Sequence, residues 1–175
     1  MTINELQLQL IEEIERLAKE VSLVDKEGKP ARLKGYQQAI PIFPVFAEMP
    51  YDAEPDGTGN FRDESDLFPY FIVRIDTVEY QKPVDGMTEN LAHVMIAFAI
   101  YDDDEKLKGY YSLTAIMERV AVRFQNDPVL GRFWCNKQMN MAYQEDDTYP
   151  QFFGALEMMW NLPQISQGSE MEEFL

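Results

Sequence analysis

The fold is decided by the stretch Leu107–Phe124, with the sequence LKGYYSLTAIMERVAVRF. Its apolar residues recur every three or four positions, which is the spacing that places side chains on one side of a helix. The stripe consists of Tyr110, Leu113, Ile116, Met117, Val120, Ala121 and Phe124. Such a stripe has to be covered, and the runs on both sides of it have the composition of β-strands. The stretch therefore predicts a central helix that packs on a sheet.

Two strands are predicted before this helix. Phe71–Tyr80 (FIVRIDTVEY) alternates, with one face formed by Phe71, Val73, Ile75 and Thr77. Leu91–Tyr101 (LAHVMIAFAIY) is the most apolar run of the chain, and the side chains expected to face the helix are Val94, Ile96, Phe98 and Ile100. Between the two runs, Asp85 and Gly86 form a turn signal that favours an antiparallel connection.

The opposite face of Leu91–Tyr101 is also apolar, so we expect something to cover it. The chain has ten methionines, and several fall in its C-terminal part. Methionine is common in adaptable contact surfaces. Together these features favour a subunit interface over simple core packing. The predicted interface residues are Leu91, His93, Met95, Tyr101, Met139 and Met141.

Further elements are predicted on both sides of this region. Thr2 and Glu5 fit a capping box, and the helix that follows carries an apolar stripe formed by Leu6, Leu10, Ile14, Leu17 and Val21. This helix docks either on its own domain or on a neighbouring subunit. After the central helix, Phe133–Tyr143 and Phe153–Leu162 have the composition of two more strands.

The predicted fold class is α+β, with one domain over residues 1–163. It has a four-stranded, mainly antiparallel sheet on which the N-terminal and central helices pack. A Pro/Gly-rich insert occupies residues 29–69, in which Ala39–Phe46 is expected to be an edge strand and Asp52–Asp66 a surface loop. Residues 164–175 are predicted to form an acidic C-terminal tail.

Charge and cysteine content restrict the function. The chain has 15 Lys and Arg against 31 Asp and Glu, a net charge of -16, which disfavours a protein that grips nucleic acid. Cys135 is the only cysteine, so an internal disulfide and a multi-cysteine zinc site are excluded. No apolar run approaches the roughly 20 residues that span a bilayer. We therefore expect a cytoplasmic protein without a membrane partner.

Few residues suggest chemistry. The turn Asp102–Glu105 has the carboxylates that a hard cation requires, but a solvated turn before a helix N-terminus explains them as well. The same two interpretations apply to Glu145–Asp147. His93 is the only histidine, and a mid-strand position favours packing or an interface over catalysis. The prediction is therefore that the chain has no catalytic, cofactor or metal residues and is not an enzyme.

The order of elements in Leu67–Pro163 resembles that of the tail terminator and tail completion proteins of tailed bacteriophages. The segments that carry the resemblance are FPYFIVRID, IAFAIYDDD, RFQNDPVLGRFW and ALEMMWNLP. The resemblance implies a structural subunit that forms a ring, generally a hexamer, on the last ring of tail tube protein. Such a ring stops tube growth and presents a face to the head connector, while DNA passes through its lumen without specific binding. The implied location is the virion tail, after assembly in the host cytoplasm.

Two other functions remain open at this point. The charge of -16 is typical of an acidic DNA mimic that inhibits a host nucleic-acid enzyme, provided that carboxylates line one face. A small metal-dependent enzyme would have to use the turn Asp102–Glu105.

Overall fold

The computed structural model describes residues 2–41, 64–80, 90–106 and 108–163. These residues form two α-helices, one 3-10 helix and a single mixed sheet. In chain order the elements are α1 (Thr2–Ala18), β1 (Leu23–Val24), β2 (Pro30–Ala31), β3 (Lys34–Gln37), the 3-10 helix (Glu64–Leu67), β4 (Tyr70–Glu79), β5 (Asn90–Tyr101), α2 (Lys108–Asn126), β6 (Val129–Leu130), β7 (Phe133–Tyr143) and β8 (Gln151–Leu162).

The prediction of a four-stranded sheet with packed helices is wrong, because the sheet has eight strands and curls into a half-barrel. Strands β1, β2 and β6 have only two residues each, which is too short to show an alternating pattern. Strand β3 has four residues, includes Gly35 and pairs with β4 in parallel. The added strands therefore gave no periodic signal in the sequence.

Strand β5 is the centre of the sheet. It pairs with β8 without interruption, from Asn90 opposite Leu162 to Tyr101 opposite Gln151. Its other edge pairs with β4 and, at Tyr101, with Val24 of β1. A bulge after Ile75 shifts the register of β4, so that Val78 turns toward the core and Thr77 does not, contrary to the predicted alternation. The three long strands β4, β5 and β8 thus form a continuous platform.

Both helices lie on the same face of this platform. From α1, the side chains of Leu6, Leu10 and Ile14 are fully buried, so this helix docks on its own domain. The buried residues of α2 are Leu113, Ile116, Met117, Val120, Ala121 and Phe124. Tyr110 belongs to the predicted stripe but remains 38% exposed, because it lies at the first turn of α2.

The core between helices and sheet is rich in aromatic residues. Phe71 of β4 stacks on Phe98 of β5 with ring centroids 5.8 Å apart. Trp160 of β8 meets Phe124 of α2 edge to face at 5.0 Å. Aromatic side chains bury the largest apolar areas and dominate such cores. Their contacts fix one face of the sheet to α2.

Several sequence predictions fall outside the described residues. They concern the Asp85 turn, the side chain of Thr2, the tail at 164–175 and most of the insert at 29–69. Of the predicted edge strand, residues 39–41 are described, and they are not in a strand. Of the predicted loop Asp52–Asp66, the described residues belong to the 3-10 helix. Neither of the described helices is long and apolar enough to cross a membrane.

Candidate functional site

The candidate site is the face of the sheet opposite the two helices, here called the outer face. Strand alternation and register assign its members. From β4 and β5 they are Tyr70, Ile72, Arg74, Leu91, His93, Met95, Ala97, Ala99 and Tyr101; from β7 and β8 they are Trp134, Asn140, Ala142, Phe153, Ala155, Glu157 and Met159. Apolar side chains predominate in the centre of this face, on β5 and β8.

One end of the outer face is covered by the chain itself. Phe68 follows the 3-10 helix directly. Its ring centroid lies 5.1 Å from that of Tyr70, 6.3 Å from that of Tyr101 and 6.0 Å from that of Phe153. Beneath this cover, Ala99 is only 2% exposed. At this end, the chain itself supplies the cover that this apolar face was expected to need. The sequence could not show this cover, because Phe68 and Ala99 are far apart in the chain.

A hydrogen bond holds this cover in place. The hydroxyl of Tyr70 donates to Oε1 of Glu64 at 2.6 Å. Burial raises the pKa of Tyr70, and the bond to the Glu64 carboxylate raises it further. Tyr70 is almost fully buried, whereas Glu64 is exposed, so the bond lies at the edge of the cover. It ties the 3-10 helix to the first residue of β4.

The other end of the outer face has no such cover among the described residues. Leu91, Met95, Ala97 and Met159 are each partly exposed there. Both described helices pack on the opposite face, so neither reaches these side chains. Beside them, Trp134 of β7 is 51% exposed. Neighbouring exposed apolar side chains of this kind are typical of surfaces that bind another protein.

Polar groups surround the uncovered end. Nε2 of His93 lies 3.2 Å from Oε1 of Glu79, across strands β4 and β5. Next to His93 is a shallow depression of about 160 Å³, whose other lining residues include Asn136, Gln138, Asn140 and Glu157. Apolar side chains with a polar rim are the usual composition of a protein interface. The arrangement is suited to binding a protein surface, with side-chain amides available for hydrogen bonds.

The six residues predicted as an interface do not form one surface. Leu91, His93, Met95 and Tyr101 lie on the outer face, and Tyr101 contacts Phe68 at its covered end. Met139 and Met141 pair with Met158 and Leu156, whose buried side chains place them on the helix side of the sheet. Sequence reasoning missed Trp134 as a surface residue. The signal was available, because strand alternation puts Trp134 opposite its buried neighbour Cys135.

The acidic turn before α2 is held by local bonds. Nζ of Lys108 lies 2.9 Å from Oδ2 of Asp104, and this bond lowers the pKa of Asp104. Oδ1 of Asp102 accepts from the backbone N–H of Asp104 at 2.9 Å. Among the described residues, no group of three or more His, Cys, Asp or Glu is placed to hold a metal ion. The turn precedes α2, where negative charge interacts favourably with the positive end of the helix dipole.

Cys135 is buried in the core, in the position of a small apolar residue. Burial raises the pKa of its thiol to about 12, so almost no thiolate exists at neutral pH.

The carboxylates are distributed over both sides of the molecule, with Glu12 and Glu20 on α1 and Glu79 and Glu157 on the outer face. This distribution differs from the single acidic face that a DNA mimic requires.

Comparison with known proteins gives no match, because neither protein-family models nor curated protein sequences match the chain. The resemblance to tail terminator proteins therefore depends on the segments quoted above. The uncovered end of the outer face is a separate observation, which bears on assembly independently of this resemblance.

Proposed function

We propose that this chain is a structural protein of a tailed bacteriophage or prophage, a tail terminator or tail completion protein. In this role it has no enzymatic activity. Copies of the chain form a ring, generally a hexamer, on the last ring of tail tube protein. The ring stops tube polymerisation and provides the surface to which the head connector or neck protein joins. Its location is the virion tail, after assembly in the host cytoplasm.

The observation that carries this proposal is the uncovered end of the outer face. Leu91, Met95 and Met159 lie side by side on β5 and β8 and are partly exposed. Burying apolar surface contributes about 25 cal/mol per Å². A second copy that covers these side chains gains this free energy. When the contact joins two different surfaces of the subunit, its repetition forms a ring provided that the rotation between copies is a whole fraction of a full turn.

The charge of the chain also supports the proposal. A net charge of -16 gives the assembled ring a negative potential. DNA that passes through the lumen is repelled by the wall and does not adhere, which suits a conduit for a genome. The same charge opposes close approach of copies, so the contact between them requires apolar surface. Leu91, Met95 and Ala97 supply this surface, and the carboxylates of Glu79 and Glu157 lie beside it.

The experiment is a tube-growth assay with electron microscopy. Tube subunits of the phage or prophage that encodes the chain are allowed to polymerise with and without it. We expect capped tubes of limited length, with a ring density at one end, when the chain is present. Met95→Glu places a charge on the uncovered end of the outer face and should abolish capping.

The matched control is Leu8→Glu. Leu8 is 51% exposed on α1, on the helix side of the molecule, so this variant adds the same charge away from the outer face. It should cap tubes like the unmodified chain. Tubes that grow to the same length with and without the unmodified chain would reject the proposed function.

A further inference from the structure

A second surface lies at the end of the molecule where α2 begins. Four exposed tyrosines gather there, and we call them the tyrosine patch: Tyr110 (38% exposed), Tyr111 (75%), Tyr143 (41%) and Tyr149 (42%). They come from α2, from the end of β7 and from the residues before β8. This patch is distinct from the uncovered end of the outer face, because Tyr110 and Tyr143 lie on the helix side of the sheet.

Contacts with neighbouring side chains link members of the patch. Phe152 lies between two of them, with its ring centroid 4.8 Å from that of Tyr110 and 6.5 Å from that of Tyr149. Gly109 allows this packing, because a Cβ atom at that position would overlap the ring of Phe152. Tyr110 and Tyr149 therefore rest on a buried aromatic base. Tyr111 lies on α2 one turn before Thr114, and it is the most exposed of the four.

Hydrogen bonds orient two of the rings. The hydroxyl of Tyr143 lies 3.0 Å from Oγ1 of Thr114 on α2. The hydroxyl of Tyr149 donates to the backbone carbonyl oxygen of Asp103. Rings fixed in this way lose little conformational entropy when a ligand binds to them. The second bond also connects the patch to the acidic turn before α2.

Negative charge lies directly beside the patch. The turn Asp102–Glu105 and the loop Glu145–Asp147 contribute seven carboxylates, against the two lysines Lys106 and Lys108. Of these carboxylates, Asp104 is paired with Lys108. The pKa of Tyr149 is raised by partial desolvation and by the charges of Asp103 and Glu105. Exposed aromatic rings with adjacent carboxylates are complementary to a cation.

We propose that the tyrosine patch binds an arginine-bearing segment of another protein. A guanidinium group stacks on aromatic rings and at the same time donates hydrogen bonds to carboxylates, which an ammonium group does less well. Nucleic acid is disfavoured as a partner, because its phosphates would meet the same carboxylates. The inference does not depend on ring assembly, since it uses a different surface.

The test is a titration of the full chain against peptides by fluorescence anisotropy. The probes are labelled peptides of alternating arginine and serine, alternating lysine and serine, and alternating glutamate and serine. We expect the arginine peptide to bind, the lysine peptide to bind more weakly and the glutamate peptide to show no binding. Binding of the arginine peptide should weaken as salt is added, because the carboxylates are exposed.

Variants locate the binding site. Tyr111→Ala removes the most exposed ring without disturbing the core and should weaken binding about three-fold, the size of an exposed cation–π contact. Asp103→Asn should weaken it by a similar factor. The controls are Leu8→Ala and Glu12→Gln on α1, two exposed positions away from the patch that should leave binding unchanged.

Two outcomes would overturn the inference. In one, Glu12→Gln weakens binding as much as Asp103→Asn, which would mean that the net charge alone attracts the peptide. In the other, the arginine and lysine peptides bind equally well and Tyr111→Ala has no effect, which would mean that the rings take no part.

Discussion

Arg123 of α2 donates a hydrogen bond from Nε to Oε1 of Glu13 on α1, with the two atoms 2.6 Å apart. Glu13 also accepts from Arg16 at 2.8 Å, so its carboxylate is shared between two guanidinium groups. The side chains of Glu13 and Arg123 are only 13% and 21% exposed. This ion pair joins the two helices on the face of the sheet that they cover, and it has a measurable consequence for stability.

Glu13→Gln should lower the free energy of unfolding at pH 7 by about 1 to 3 kcal/mol, because it removes a partly buried charge from two arginine partners. The bonds to Arg16 and Arg123 lower the pKa of Glu13 from 4.5 to about 2. Because the pKa is lower in the folded state, the stabilisation is complete above pH 4.5 and is lost as the pH falls toward 2. Urea unfolding over this pH range measures the effect.

The matched control for this prediction is Glu12→Gln. Glu12 is exposed on the same helix, so its variant should change stability by less than about 0.5 kcal/mol. A difference between Glu13→Gln and the unmodified chain that stays constant from pH 7 to pH 2 would contradict the role given to the ion pair.

Phe68→Ala should lower the free energy of unfolding by about 3 kcal/mol or more, because Phe68 is 4% exposed and covers one end of the outer face. Trp134→Ala removes a still larger aromatic residue that is 51% exposed, and it should lower the free energy of unfolding much less. Thermal and urea unfolding of both variants provide the comparison. Equal losses would mean that Phe68 does not cover the sheet.

The thiol of Cys135 should react with iodoacetamide about a thousand-fold more slowly than an exposed cysteine at pH 8, because burial raises its pKa from 9.0 to about 12. Labelling followed by mass spectrometry gives the rate in the native state and in urea. Fast labelling of the native chain would contradict the buried position. A rate that increases in step with unfolding would agree with it.

The sequence was sufficient to locate the regular elements that have a strong period. The alternation of β5 correctly placed Val94, Ile96, Phe98 and Ile100 in the core. The spacing in α2 correctly placed Leu113, Met117, Val120 and Phe124 there. In both cases a long run of residues repeats one simple geometric relation to the core.

Features that depend on contacts distant in the sequence could not be predicted. The strand count failed because β1, β2 and β6 are too short to carry a pattern. The cover of Phe68 on Ala99 depends on how the chain returns to the sheet. The six predicted interface residues lie on two different faces of the sheet. Met139 and Met141 are on the helix side because of how β7 pairs with β8, and the sequence does not specify this pairing.

We propose that copies of the chain bind to one another through the uncovered end of the outer face. Native mass spectrometry over a range of concentrations tests this claim most directly. We expect the unmodified chain to form one closed oligomer, six copies in a hexameric ring, and Met95→Glu to remain a monomer with an unchanged fold by circular dichroism. A monomer at every concentration, or an oligomer that Met95→Glu leaves intact, would contradict the claim.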